Sequence, residues 1–247
     1  MPSGYAAGAD MLPQGGPADQ RRRYRITFME RRRLLVTGCG RSGTLYASHV
    51  WQAVGLDVRH EMPVPPNGVM GEDGIASWYM AVDDPEPPYG PSGRDYEFDL
   101  VIHQVRDPLK VIPSVAQFVL RNPPSLRYIE RNCREARLTW KERLRGRKRA
   151  LLIQAARYWY HWNLLAEARA RDGLRIQVER LIGELPRLCE RLGVACAAGA
   201  AGAVPTTMNA RRHYVDEEPW TLTWSRLEDL DRSACAKVND LARSYGY

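Results

Sequence analysis

Several patterns that would assign this chain quickly are missing. It holds no apolar run near the roughly 18 residues needed to cross a membrane. Met1 to Gln20 is rich in Gly, Pro and Ala and lacks a basic segment followed by an apolar one, so it does not read as a secretion signal. The five cysteines, Cys39, Cys133, Cys189, Cys196 and Cys235, form no CxxC pair. Neither a disulfide framework nor a zinc site is therefore suggested, and reduced thiols fit a cytoplasmic protein. No internal repeat appears, and no helix-turn-helix, zinc-finger or single-strand stacking signature marks a nucleic-acid binder.

What is present is an ordinary globular composition with a basic bias. Of 247 residues, 44% are hydrophobic and 26% charged, and the formal net charge is +7. That charge favours anionic partners without choosing among nucleotides, polyanions and acidic surfaces. Residues 1–30 read as a disordered extension and 31–247 as a single domain. A strand is expected from Leu34 to Thr37, then a glycine loop, a helix from Thr44 to Val54, and a second strand over Leu56 to Arg59. This strand–loop–helix–strand order predicts a βαβ unit in a parallel sheet. Residues 61–95 are proline-rich and loop-like, with a helical turn or two near Ile75 to Val82. Phe98 to Val105 reads as the next strand. Asp107-Pro108 then caps a helix running to about Leu120, which Pro113 should distort. Arg149 to Ala170 is a long helical pattern on which Trp159 and Trp162 fall on the apolar stripe. Gly173 to Val178 is a fourth strand. Leu181 to Leu192 is an amphipathic helix, residues 195–203 are a loop or weak linker, and Leu230 to Tyr245 is the last helix.

The loop Gly38-Cys39-Gly40-Arg41-Ser42-Gly43-Thr44 carries chemistry. Glycines at a strand end let backbone N–H groups converge on an anion, and the following helix N-terminus favours negative charge. The nucleotide-triphosphate motif GxxxxGK[ST] is incomplete here: Gly38 and Gly43 are correctly spaced, but Thr44 replaces the lysine and the cation is Arg41. A second anchor follows a later strand, where Arg106 is succeeded by Ser114 eight residues on. An arginine at the carboxyl edge of a parallel sheet suits a phosphate.

Arg41-Ser42-Gly43-Thr44 resembles the 5′-phosphosulfate loop of sulfotransferases that use 3′-phosphoadenosine 5′-phosphosulfate (PAPS). Arg106 with Ser114 resembles that family's 3′-phosphate site. His60-Glu61, Asp73 to Trp78, Tyr158 to Asn163 and Tyr245-Gly246-Tyr247 are similar to segments of bacterial members. The likeness spans roughly residues 33–247, loosely over 120–150 and 195–220. It implies a three-layer α/β fold of the P-loop-like sulfotransferase type, with a parallel sheet flanked by helices. It also implies PAPS as donor, a hydroxyl of a small molecule, carbohydrate or lipid as acceptor, and no metal. Gly40, Arg41, Ser42, Gly43, Thr44, Leu45, Arg106 and Ser114 would bind the nucleotide. Arg41 would stabilise developing charge, and Glu61 would take the acceptor's proton, with His60 the rival base. Adjacent strand residues face opposite ways, so only one of that pair is expected in the site. Arg211 or Arg212 would lie either in an exposed turn or in a loop over the nucleotide. His161 and Asn163 either line the acceptor pocket or sit on the surface. The run Lys141 to Arg149 is either a solvated face or a grip on a polyanion. The competing readings are an ATP-dependent P-loop kinase and a basic nucleic-acid-binding protein. The missing lysine argues against the first.

Overall fold

The computed structural model describes residues 29–61, 70–205 and 218–247. Five parallel strands form one sheet: β1 (Glu30–Thr37), β2 (Val58–His60), β3 (Gly74–Ala76), β4 (Tyr96–Val105) and β5 (Arg175–Gln177). Their order is β2-β3-β1-β4-β5. The expected parallel α/β sheet is therefore present, with one strand more than the sequence pattern showed. The helical turn read near Ile75 to Val82 is instead β3 followed by a 3-10 turn at Tyr79–Ala81. β3 is three buried residues long, so it has neither the length nor the alternation that marks a strand in sequence. It separates β2 from β1, and the first βαβ unit skips a position in the sheet.

Helices cover both faces. Alternate residues of β1 divide the core: Leu35 points into one cluster, Leu34 and Val36 into the other. On the second face lie α1 (Thr44–Ala53) and α6 (Leu181–Leu192), with Tyr46, Val50, Trp51, Leu185 and Leu188 buried. The short α7 (Ala198–Gly202) stands where a linker was expected, beside them. On the first face lie α2 (Pro108–Ser114), α3 (Pro123–Asn132), α4 (Trp140–Arg143), α5 (Arg147–Arg169), α8 (Trp224–Leu230) and α9 (Arg232–Ser244). Asp107 caps α2, its carboxylate accepting from the Leu109 amide at 2.9 Å. After Pro113 the helix widens into a π turn at Val115–Val119, as a missing proline donor would favour.

Connections leave β1 and β4 toward opposite faces, through α1 and α2 respectively. Because β1 and β4 are neighbours, their carboxyl ends flank the crevice where open α/β sheets bind ligands.

The first-face core centres on aromatic rings. Trp162 is fully buried and packs on Trp78 at 5.3 Å and Tyr158 at 5.1 Å, and its indole donates to the Trp78 carbonyl at 3.0 Å. Trp159 is buried too, so both tryptophans are core residues as expected. Trp162→Ala should lower unfolding stability by about 3–5 kcal/mol in denaturant titration. A loss below roughly 1 kcal/mol would contradict this packing role.

Candidate functional site

The loop after β1 folds back under tight steric control. A Cβ on Gly38 would lie 2.1 Å from the Gln104 carbonyl oxygen, so only glycine lets β1 and β4 stay paired to their ends. Gly43 has φ of +99° at the start of α1, a region that favours glycine. Arg41 has φ of +71°, alone among the described non-glycine residues in having a positive value. Such a conformation is uncommon for a residue with a side chain, and strain of this kind gathers at binding sites. The Ser42 amide donates to the Cys39 carbonyl at 3.0 Å, and Gln104 Nε2 donates to the Ser42 carbonyl at 3.0 Å. These bonds fix the turn.

No side chain caps α1. The amides at its first turn, around Gly43, Thr44 and Leu45, therefore have no partner within the helix, which makes that end attractive to an anion. The Ser42 hydroxyl beside it is fully buried and has no hydrogen-bond partner among the described residues. Gly40 differs from the rest of the loop: its N–H donates to the Tyr158 hydroxyl at 3.0 Å. That amide is engaged by Tyr158, a bond that ties the loop to the helix carrying Tyr158.

The two expected anchor points touch. Arg41 Nε donates to Ser114 Oγ at 2.9 Å, and the guanidinium lies 5.3 Å from the centre of the Phe118 ring. Ser114 sits on the last turn of α2 and accepts this bond, so its own proton stays available to a further acceptor. Arg106 follows the last residue of β4 and is partly buried; its Nε is buried with no partner among the described residues. Tyr247 closes this side. Its hydroxyl donates to the Val105 carbonyl at 3.2 Å or to Glu179 at 2.8 Å.

On the other side, His60 and Glu61 converge. His60 Nε2 and Glu61 Oε1 are 3.4 Å apart, and a hydrogen bond of 3.1 Å links His60 Nε2 with Thr44 Oγ1. The expectation that only one of the two faces the site is thus corrected. β2 ends at His60, so Glu61 has left the pleat and strand alternation no longer separates them. Both groups are shifted. Burial pushes the Glu61 carboxyl up to about 8, against smaller opposing effects of the Ser77 hydroxyl and backbone amides. Burial, with the positive charge of Arg41 and the neighbouring His49 acting in the same direction, pushes His60 down to about 4. Near neutrality the contact therefore joins an uncharged imidazole to an uncharged carboxylic acid. Glu61 Oε2 has no partner among the described residues.

Sequence reasoning passed over Gln104, and it gave Ser77 and Tyr158 no role beyond their place in the two similar segments; all three touch the loop or Glu61. Gln104 lies two positions before Arg106, and no local pattern marks its reach back to the loop. His161 and Asn163 are not brought to the loop. Asn163 is buried and bonds His103 at 3.1 Å and the Trp159 carbonyl at 2.8 Å. His161 borders a separate hollow with Tyr160 and Lys237. Arg211 and Arg212 lie outside the described residues. The other segments singled out do meet: Trp78 packs on Tyr158 and Trp162, and Tyr247 reaches the end of β4. No protein-family model matches this chain, and no curated protein matches it. No helix among the described residues is long and apolar enough to cross a membrane.

The Glu61 shift carries a stability signature. An unfolded chain releases this proton near 4.5, the fold near 8. Between those values deprotonation favours unfolding, so wild-type stability falls as pH rises through the window. Glu61→Gln removes that slope. Its stability relative to wild type should improve steadily from pH 4.5 to pH 8 in denaturant titrations, and a pH-independent difference would contradict the buried acid.

Proposed function

We propose that this chain is a sulfotransferase that moves the sulfuryl group of PAPS to a hydroxyl acceptor. One observation carries the reading: Arg41 of the glycine loop and Ser114 of α2 are in direct contact at the end of the β1–β4 pair, and Arg106 follows the last residue of β4. A nucleotide with phosphates at both ends of its ribose needs two anion sites a few ångströms apart. An uncapped helix N-terminus with an arginine in its loop suits the 5′ side, and Ser114 with Arg106 suits the 3′ side. The loop lacks the lysine of a triphosphate cradle, and its cation instead leans toward the second half-site.

The residues then divide the work. The amides of Gly43, Thr44 and Leu45, the Ser42 hydroxyl and Arg41 hold the 5′-phosphosulfate. Arg106 and Ser114 hold the 3′-phosphate. As the acceptor oxygen bonds to sulfur, the bond from sulfur to the 5′-phosphate oxygen breaks. Charge grows on the departing phosphate, where Arg41 and the helix end offset it without reorganising. Glu61 takes the acceptor's proton. Its raised affinity for protons makes it a stronger base than an exposed carboxylate, once ionised. His60, tied to Thr44 and held low, is the weaker base and positions Glu61. The acceptor's chemical class stays open between small molecule, carbohydrate and lipid.

Calorimetry with the desulfated product PAP, with ATP and Mg²⁺, and with an oligonucleotide tests the donor. PAP should bind, and Arg106→Ala should weaken it at least about tenfold, the worth of a charge-assisted hydrogen bond. Binding of ATP with Mg²⁺ but not PAP would refute the reading in favour of a kinase. For the base, Glu61→Gln should keep PAP affinity and lose turnover, and wild-type turnover should climb with pH toward a plateau above about 8. Full turnover in Glu61→Gln would remove Glu61 from the proton transfer.

A further inference from the structure

Outside the loop, the segment before α5 gathers charge and exposed apolar surface together. Residues 141–149 hold six Lys or Arg and one acid, Glu142. That acid is turned inward. It closes a capping box with Thr139 and pairs with the half-buried Arg157 at 2.6 Å. The outward charge is left cationic. No carboxylate among the described residues pairs with Lys141, Arg145, Arg147 or Lys148. Arg145, Arg147, Lys148 and Arg149, with Arg226 and Thr221 across from them, border an open hollow of about 570 Å³.

Trp140 and Leu144 stand in the same segment, 69% and 75% exposed. Four positions apart on α4 and its last turn, they share one face. The Lys141 ammonium lies 5.6 Å from the Trp140 ring centre. A polyanionic sugar or nucleic acid would be held by the cations but would gain nothing from an exposed leucine. A bilayer with acidic headgroups uses both: the cations meet phosphates and carboxylates, while the indole and leucine enter the interfacial layer.

We propose that α4 and the start of α5 form a docking surface for a membrane containing anionic lipid. This surface does not depend on the transfer reaction. The two are joined by α5, along which Tyr158 lies eleven residues beyond Arg147, about 16 Å at the helical rise, and by Trp220, which lies under the Lys148 ammonium and whose amide donates to Gln117 beside Phe118.

The test uses the full chain and sedimentation with vesicles of phosphatidylcholine, with and without phosphatidylserine. Binding should require phosphatidylserine and weaken as salt is raised. Arg147→Glu with Lys148→Glu should reduce it at least roughly twentyfold, since each cation near such a surface contributes about fivefold, or 1 kcal/mol. Trp140→Ser with Leu144→Ser should reduce it about tenfold, while leaving retention on immobilised heparin unchanged. All four side chains are exposed, and thermal unfolding verifies that each variant folds. Equal binding to both vesicle types overturns the proposal. Vesicle binding unaffected by either double variant overturns it too. Retention on heparin with no vesicle binding replaces it with a polyanion site.

Discussion

Everything at the candidate site depends on there being no side chain at residue 38. β1 and β4 pair in parallel over most of their length, and the backbone after Thr37 runs so close to Gln104 that a single methyl would clash. That approach brings the glycine loop and the residues after β4 to one edge of the sheet. It lets Gln104 hold the Ser42 carbonyl, and it leaves Arg41 within reach of α2. Opposite exits of the chain from β1 and β4 then open a crevice instead of filling it. A larger residue at 38 would separate the strands, and the loop would lose its hold on Gln104 and its contact with Ser114.

Some of the unsatisfied buried polar atoms belong to residues of the candidate site. The Ser42 hydroxyl, one Glu61 oxygen and Arg106 Nε are all buried without hydrogen-bond partners among the described residues. Native folds seldom leave such atoms orphaned, because each one costs free energy that a partner would recover. The Ser42 hydroxyl lies beside an uncapped helix end and a strained Arg41, where under the proposed function the anionic donor would complete it. The same low-dielectric surroundings raise Glu61 and lower His60, so that desolvation serves both the anion site and the acid–base pair.

The parts of this site legible in the sequence were those encoded locally. The glycine loop, Arg41 and the Asp107-Pro108 cap each lie within a few residues of a strand end, where chain direction and position on the sheet follow from pattern alone. Ser114 was singled out by resemblance, eight residues after Arg106, and it meets Arg41. What failed was set by tertiary contact or by a signal too short to read. β3 is three residues, and without it the place of β2 in the sheet could not be known. Alternation was applied to His60 and Glu61 one residue past the point where the strand stops. Tyr158 comes from a helix 118 positions beyond the Gly40 amide it accepts from, and no periodicity in α5 distinguishes it from the core aromatics beside it.

The central claim is that two phosphate sites share one crevice through the Arg41–Ser114 contact. Comparing the affinities of PAP and adenosine 5′-phosphate, which lacks the 3′-phosphate, tests it most directly. The account predicts that PAP binds roughly a hundredfold more tightly, the worth of two charge-assisted contacts. It also predicts that this gap closes when Arg106 and Ser114 are both replaced by alanine, while the weaker nucleotide's affinity hardly changes. Equal affinity for the two nucleotides, or a gap that survives the double substitution, would contradict it.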